Sequence, residues 1–257
     1  MKRGLTITAA VFALLLCTSV ATATPTRLIV RVKSKGAKFV GTSMGGALVT
    51  ITHLQTGAVL AQGLTEGATG NTQLIMKTPQ VPGETIISDE QSARYEAVID
   101  IDEPVFVEIS ARGPMAQRQS LAEVSITQWL FPGKHIVQGD ALLLELPGFA
   151  VDILSPPTHV TLGVAPQAVT INANIVMVCG CPIMPGGLWD SDRYEIKAIV
   201  KRDGKLADTL DMEYANAPSQ FRATYRATES GIYEVTVYAF DPLNGNTGLD
   251  STTFMVR

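Results

Sequence analysis

Short runs in which apolar and polar residues alternate dominate this sequence, and they constrain its fold more than any other feature. Neighbouring residues of a β-strand point to opposite faces, so alternation predicts strands that bury one face. In one run Ile171, Ala173 and Ile175 share a face. Asn172 and Asn174 occupy the other face of the same run. Glycine and proline separate the runs, and nothing after the first 23 residues has sustained helical periodicity. We therefore predict an all-β protein.

The first 23 residues have the pattern of a secretory signal. Lys2 and Arg3 provide the positive start of an apolar run that extends over Leu5–Leu16. Ala21 and Ala23 then form an A-x-A cleavage site. The apolar run is too short for a transmembrane helix. We expect an exported protein, periplasmic or secreted, that does not insert into a membrane after signal removal.

The segment Leu14–Cys17 offers an alternative, because it has the outline of a lipoprotein box. In that interpretation Cys17 would carry the lipid. The bulky Leu16 stands where a small residue is required, and this favours the secretory signal.

The charge balance limits the kind of partner. The chain has 20 Lys and Arg residues against 24 Asp and Glu residues, a net charge of −4 at pH 7. Loss of the signal removes two basic residues and takes the net charge to about −6. A negative balance without a basic cluster argues against a nucleic-acid partner and against an anionic membrane surface.

The length suits two domains of about 100 residues each. Two prolines make Ser155–Thr158 the best linker, because they stiffen the chain and end a strand. We predict a signal over residues 1–23, a first β-sandwich over residues 24–155 and a second over residues 156–257. The second segment has the number of candidate strands that an immunoglobulin-like sandwich needs.

In the first domain an alternating strand is followed by a Thr-Gly turn and a second strand. The residues concerned are Gly46, Ala47, Val49, Ile51, Thr56, Gly57, Leu60, Gly63 and Thr65. This segment resembles the prealbumin-like (transthyretin-like) module of carboxypeptidase regulatory domains, which implies a prealbumin-like β-sandwich. Hydrolases of the transthyretin-like group end in Tyr-Arg-Gly-Ser. This chain ends in Phe254–Arg257, so we do not expect their activity.

In the second domain Gly231-x-Tyr233 leads into an alternating strand within Glu229–Val237. This segment is similar to the tyrosine corner of an immunoglobulin-like domain, which implies that Tyr233 is the corner residue. Val235 stands where an antibody domain has a cysteine, so no inter-sheet disulfide is expected. Both resemblances imply modules that commonly bind or present other molecules rather than catalyse reactions, although a fold does not decide a function.

Gly41–Gly45 matches the G-x-S-x-G pattern of a hydrolase nucleophile elbow, with Ser43 as its serine. That chemistry needs a strand, a strained turn and then a helix. The residues that follow, Ala47–Thr52, alternate as a strand. We predict a glycine-rich loop rather than a nucleophile.

Cys179 and Cys181, separated by Gly180, are the two cysteines that remain after signal removal. If the preceding strand continues through them, Met177, Cys179 and Cys181 share one face, and Met184 lies just beyond the strand end. Thiolate and thioether sulfur atoms suit Cu(I). We therefore predict a candidate copper site with these two cysteines and two methionines as ligands.

Two other interpretations of the cysteines stay open. The apolar face of the strand runs through Met177 and Cys179, which is typical of core residues. Exported thiols also tend to oxidise, which favours a disulfide between Cys179 and Cys181. Residues two apart in a strand have Cα atoms about 6.5–7 Å apart, at the upper limit of disulfide geometry, so Gly180 would have to supply a kink. The resulting small ring would be strained and easily reduced, as in redox disulfides.

Two segments carry aromatic residues that either pack in the core or contact a ligand or partner. Trp189 would pack over one end of the sandwich, or it would shield a copper site from water. Trp129 and Phe131 would plug a strand end, or they would form part of an exposed docking surface.

These patterns favour a non-enzymatic binding protein over an enzyme. It would bind a protein partner at the cell envelope, or copper at the Cys-Gly-Cys loop. The alternatives are a thiol–disulfide redox protein that uses Cys179 and Cys181, and a structural module of a surface assembly.

Overall fold

The computed structural model describes residues 23–81 and 83–257, and within this range the chain is built from strands joined by turns. The predicted signal sequence, apart from its last residue, lies outside the described residues, and so does Cys17. The helical elements of the described range are three short 3₁₀ turns and one five-residue π turn. None of them has the length and apolar character needed to cross a membrane. The all-β prediction is confirmed.

The first β-sandwich is formed by seven strands. Their bounds are β1 Thr24–Ser34, β2 Leu48–His53, β3 Val59–Leu64, β4 Tyr95–Ile101, β5 Val105–Gly113, β6 Ala122–Leu130 and β7 Leu142–Leu146. One sheet has the order β4-β1-β7, in which β1 is antiparallel to β4 and parallel to β7. The other sheet has the order β3-β2-β5-β6 and is antiparallel.

Alternating residues of both sheets form the first core. Leu28, Val30 and Val32 of β1 are fully buried and belong to one apolar cluster with Val107 and Ile109 of β5. The intervening residues of both strands point away from this cluster. The period of two in the sequence therefore corresponds to one buried face in each sheet.

The second β-sandwich contains the remaining strands. Their bounds are β8 Phe149–Ser155, β9 Val160–Thr161, β10 Gln167–Met177, β11 Glu195–Arg202, β12 Lys205–Asp211, β13 Glu213–Tyr214, β14 Gln220–Ala227, β15 Gly231–Phe240 and β16 Thr247–Val256. The two sheets have the orders β13-β14-β10-β8 and β12-β11-β15-β16-β9. With β8, β10, β11, β13, β14, β15 and β16 as strands A to G, these are the ABED and CFG sheets of an immunoglobulin-like domain. The immunoglobulin-like prediction is confirmed.

Tyr233 forms the corner that the sequence predicts. It lies near the start of β15, is 1% exposed, and its hydroxyl donates a hydrogen bond to the Glu229 carbonyl oxygen at 2.7 Å. Its ring stacks on Phe254 of the neighbouring strand with 5.0 Å between ring centroids. The tyrosine thus fixes the turn before β15 to the core.

Residues 149–155, predicted from the sequence to belong to the first domain, form β8. This strand pairs with β10 and is therefore part of a sheet of the second sandwich. The prolines after Ser155 interrupt the chain between β8 and β9, and β9 pairs in parallel with β16 of the opposite sheet. The prolines mark the point where the chain passes from β8, at the edge of one sheet, to β9, at the edge of the other. A strand cannot continue through two prolines.

Polar contacts join the two sandwiches directly. The Val151 N–H donates to Ser120 Oγ at 3.1 Å, and Gln119 Nε2 donates to the Val151 carbonyl oxygen at 2.8 Å. On the same junction Asn246 Nδ2 donates to the Lys35 carbonyl oxygen at 3.0 Å. Backbone groups near the junction are therefore satisfied by side chains of the other sandwich.

We expect Tyr233→Phe to lower the free energy of unfolding by about 1–1.5 kcal/mol, because the Glu229 carbonyl loses a mostly buried donor while the ring keeps its packing. Urea denaturation measures the change as a lower midpoint at constant m value. Tyr238→Phe is the matched control, because its hydroxyl bonds the side chain of Glu195 at the surface. The control should cost less than about 0.5 kcal/mol. Equal losses in the two variants would contradict the corner role.

Candidate thiol site between the two sandwiches

A tight hairpin loop carries the two cysteines. Strand β10 ends at Met177, whose carbonyl oxygen accepts a hydrogen bond from the Gly180 N–H at 2.7 Å. The Met177 N–H donates to the Cys181 carbonyl oxygen at 3.0 Å. Gly180 has φ +81°, the left-handed conformation that closes a three-residue hairpin loop. A residue with a Cβ is strained in this conformation, which explains the glycine.

The loop brings the two sulfur atoms together. Cys179 Sγ and Cys181 Sγ lie 2.7 Å apart, and the two residues are 0% and 4% exposed. No bond joins the two sulfurs in this structure. The sequence predicts that they share one face of a continuing strand, but the strand ends at Met177. The kink that a contact between the thiols requires is supplied by Gly180.

The loop lies where the cores of the two sandwiches meet. Val178 belongs to the apolar cluster of the first sandwich, whereas Cys179 and Cys181 belong to that of the second. Ala37, from the turn after β1, packs in the same cluster as the cysteines. The backbone N–H and the positive charge of Lys38 both act to lower the pKa of each thiol. A segment of the first sandwich therefore covers a thiol pair that the second sandwich carries.

Trp189 closes the same region. Its ring packs in the cluster with the cysteines, and its Nε1–H donates to the Gly36 carbonyl oxygen at 3.0 Å. This burial supports the packing interpretation of the tryptophan.

Hydrogen bonding and charge give the two thiols different acidities. Burial raises the pKa of Cys179, but the hydrogen bonds from Cys181 and from the Lys38 N–H, with the positive charge of Lys38, lower it by more, to about 7. The pKa of Cys181 is raised because it holds the shared proton against Cys179, is buried and lies beside the negative charge on Cys179. At neutral pH and above the arrangement favours one thiolate and one thiol.

The two methionines of the predicted copper site have different surroundings. Met177 is almost fully buried in the second core, and Met184 is half-buried in a turn that its own carbonyl oxygen stabilises by accepting from the Gly187 N–H. In the part of the chain that the structure describes, no three His, Cys, Asp or Glu residues are grouped to hold a metal ion. A metal site here would rest on two thiolates and on thioether sulfur.

Ser43 lies on an exposed 3₁₀ turn, Thr42–Met44, between β1 and β2. A strand follows it, not a helix, so the arrangement is that of the predicted loop and lacks the strand–turn–helix order of a nucleophile elbow.

Lys38 and Gly36 were missed as components of the site by sequence reasoning. They precede the cysteines by about 140 positions and belong to the other sandwich. Lysine and glycine in a surface turn are common, and no local pattern links them to the thiols. Only the packing of the two sandwiches brings them together.

We expect the ultraviolet absorbance of the reduced protein to report one thiolate that forms with a midpoint near pH 7, and a second thiol that stays protonated well above that pH. Cys181→Ala should raise the midpoint of Cys179, because its hydrogen-bond donor is lost. Lys38→Met should raise it as well, through loss of the positive charge. Cys179→Ala, the control, should abolish the ionisation near pH 7. A midpoint near the usual 9.0 in the wild type would contradict this account.

Comparisons with known proteins give remote matches only. No protein-family model and no curated protein matches the chain. Among solved structures, the fibronectin(III)-like modules of CbhA from Clostridium thermocellum share 12% identity at a TM-score of 0.29, over 82% of this chain and 77% of theirs. A DUF3823 family protein from Bacteroides uniformis shares 11% at 0.31, over 91% and 100%. The titin domains Z1Z2 in complex with telethonin share 12% at 0.28, over 91% and 96%. Matches at these scores say nothing about the function of this chain.

Proposed function

We propose that the chain is an exported, non-enzymatic two-sandwich module, periplasmic or secreted, in which Cys179 and Cys181 form a reversible thiol–disulfide site. The observation that carries the proposal is the 2.7 Å separation of the two sulfur atoms across Gly180. A disulfide bond is about 2.05 Å long, so closing it requires the sulfurs to approach by less than about 1 Å.

The chemistry needs an external oxidant, for which a small disulfide is the fitting class. One cysteine thiolate attacks a sulfur of the oxidant, whose S–S bond breaks and releases one thiolate. The second cysteine then attacks the mixed disulfide, forms the Cys179–Cys181 bond and releases the second thiolate. The two protons of the cysteine pair end on the two released thiols. Two electrons pass from the protein to the oxidant, and the reverse sequence reduces the protein.

Burial limits which reagents can take part. Cys179 is fully buried and Cys181 is nearly so. A folded oxidant cannot reach either sulfur unless the hairpin loop moves, whereas a small disulfide needs a smaller opening. We therefore assign the pair to slow exchange with small disulfides, and not to rapid catalysis on protein substrates. This supports a module that binds or connects rather than an enzyme.

Soft-metal binding is the second candidate, and the donor chemistry favours it. The two thiol sulfurs lie close together in a buried site, and the pKa of Cys179 is lowered. Thiolates of this kind suit Cu(I). Two sulfurs bound to one metal lie well over 3 Å apart at metal–sulfur bonds of about 2.3 Å, so the pair would have to separate. The fit is poorer than for the disulfide. Met177 or Met184 would be the further ligand.

We expect oxidised glutathione to convert the reduced protein to a form that lacks two hydrogen atoms and two titratable thiols. Mass spectrometry and thiol titration in denaturant measure both. Cys179→Ser and Cys181→Ser should each give a mixed disulfide with glutathione instead, because the resolving thiol is missing. In chains that keep the signal, Cys17 adds the same thiol to all three proteins and does not affect the comparison.

A wild type that keeps both thiols through this treatment overturns the thiol–disulfide proposal. A parallel titration with Cu(I) under reducing conditions decides the second candidate. Stoichiometric copper that is lost in the doubly substituted Cys179→Ser, Cys181→Ser protein would favour the metal site, and no uptake by the wild type would exclude it.

A further inference from the structure

Strand β6 presents an unprotected edge. It is nine residues long and pairs with β5 on one side, and no strand of the described residues pairs with its other side. Edge strands in monomeric proteins usually carry lysine, proline, a bulge or several charges. β6 has none of the first three and a single charge, Glu123. By contrast, the edge strand β12 carries Lys205, Asp208 and Asp211.

An apolar surface adjoins this edge. Trp129 near the end of β6 and Phe131 just beyond it are each 50% exposed. The Trp129 ring lies 5.0 Å from the ring of Phe106 on the neighbouring strand, and Leu54 is 46% exposed beside them. Trp129, Phe131, Phe106 and Leu54 together form an apolar patch beside the edge. Burial thus decides between the two interpretations of Trp129 and Phe131, in favour of an exposed surface, and such surfaces mark interaction sites.

We propose that β6 pairs antiparallel with β6 of a second copy of this chain. The two four-stranded sheets would then join into one continuous eight-stranded sheet. Main-chain hydrogen bonds would satisfy the free edge of each copy, and the two-fold symmetry would close the assembly at two chains. The proposal is independent of the thiol site, because none of the residues of that site lies in β6.

The distribution of charge and apolar side chains in β6 argues for a second copy as the occupant. Glu123, the single charge of the strand, lies near its start. Antiparallel pairing about Ile126 keeps the two Glu123 side chains apart, because each then lies opposite Trp129 of the other copy. Ile126, at the centre of the strand and 37% exposed, would pack against itself across the two-fold axis.

Sedimentation equilibrium over a range of concentrations tests the proposal, with the wild-type chain expected to form dimers. Ile126→Lys should raise the dimer dissociation constant at least tenfold, because two like charges would face each other at the centre. Val98→Lys is the matched control, since Val98 is 62% exposed on β4, the edge strand of the other sheet. This control should dimerise like the wild type.

A charge-reversal experiment separates lost pairing from lost folding. Ile126→Lys mixed with Ile126→Glu should form a heterodimer, although each variant alone stays monomeric. A wild type that remains monomeric at its highest soluble concentration overturns the proposal. So does a dimer that survives Ile126→Lys, or one that Val98→Lys disrupts instead.

Discussion

The left-handed backbone at Gly180 is the constraint on which the candidate site depends. A strand that continued through Cys179 and Cys181 would hold their Cα atoms too far apart for easy contact between the sulfurs. The glycine instead closes a three-residue loop after Met177, and the sulfurs meet at 2.7 Å. The chemistry of this pair therefore follows from one backbone conformation that few other residues adopt without strain.

The position of this loop gives the pair its environment. In the complete chain the turn after β1 covers it, since Ala37 packs in the same cluster and the Gly36 carbonyl oxygen accepts from Trp189. Burial by itself would raise both thiol pKa values, whereas the added donors and the charge of Lys38 separate them. The junction between the domains thus contributes, through Lys38, to the lowered pKa of Cys179.

The same junction explains why the domain boundary could not be predicted from local signals. Prolines after Ser155 are a sound indication that a strand stops, and a strand does stop there. Whether the preceding strand belongs to the first or to the second sandwich depends on its hydrogen-bonding partner, β10, which lies further along the chain. Prolines and glycines in the sequence mark where strands end, but hydrogen bonding between strands assigns each strand to a sheet.

The sequence by itself determined the all-β class, the tyrosine corner at Tyr233 and the loop character of Gly41–Gly45. Each follows from a local period of two or from a short motif, and local geometry is enough to realise them. Tertiary structure alone decided that Lys38 covers the thiols, that β8 joins the second sandwich and that Trp129 and Phe131 are exposed. These features depend on which distant segments pack together, and residue order does not encode such contacts in any local pattern.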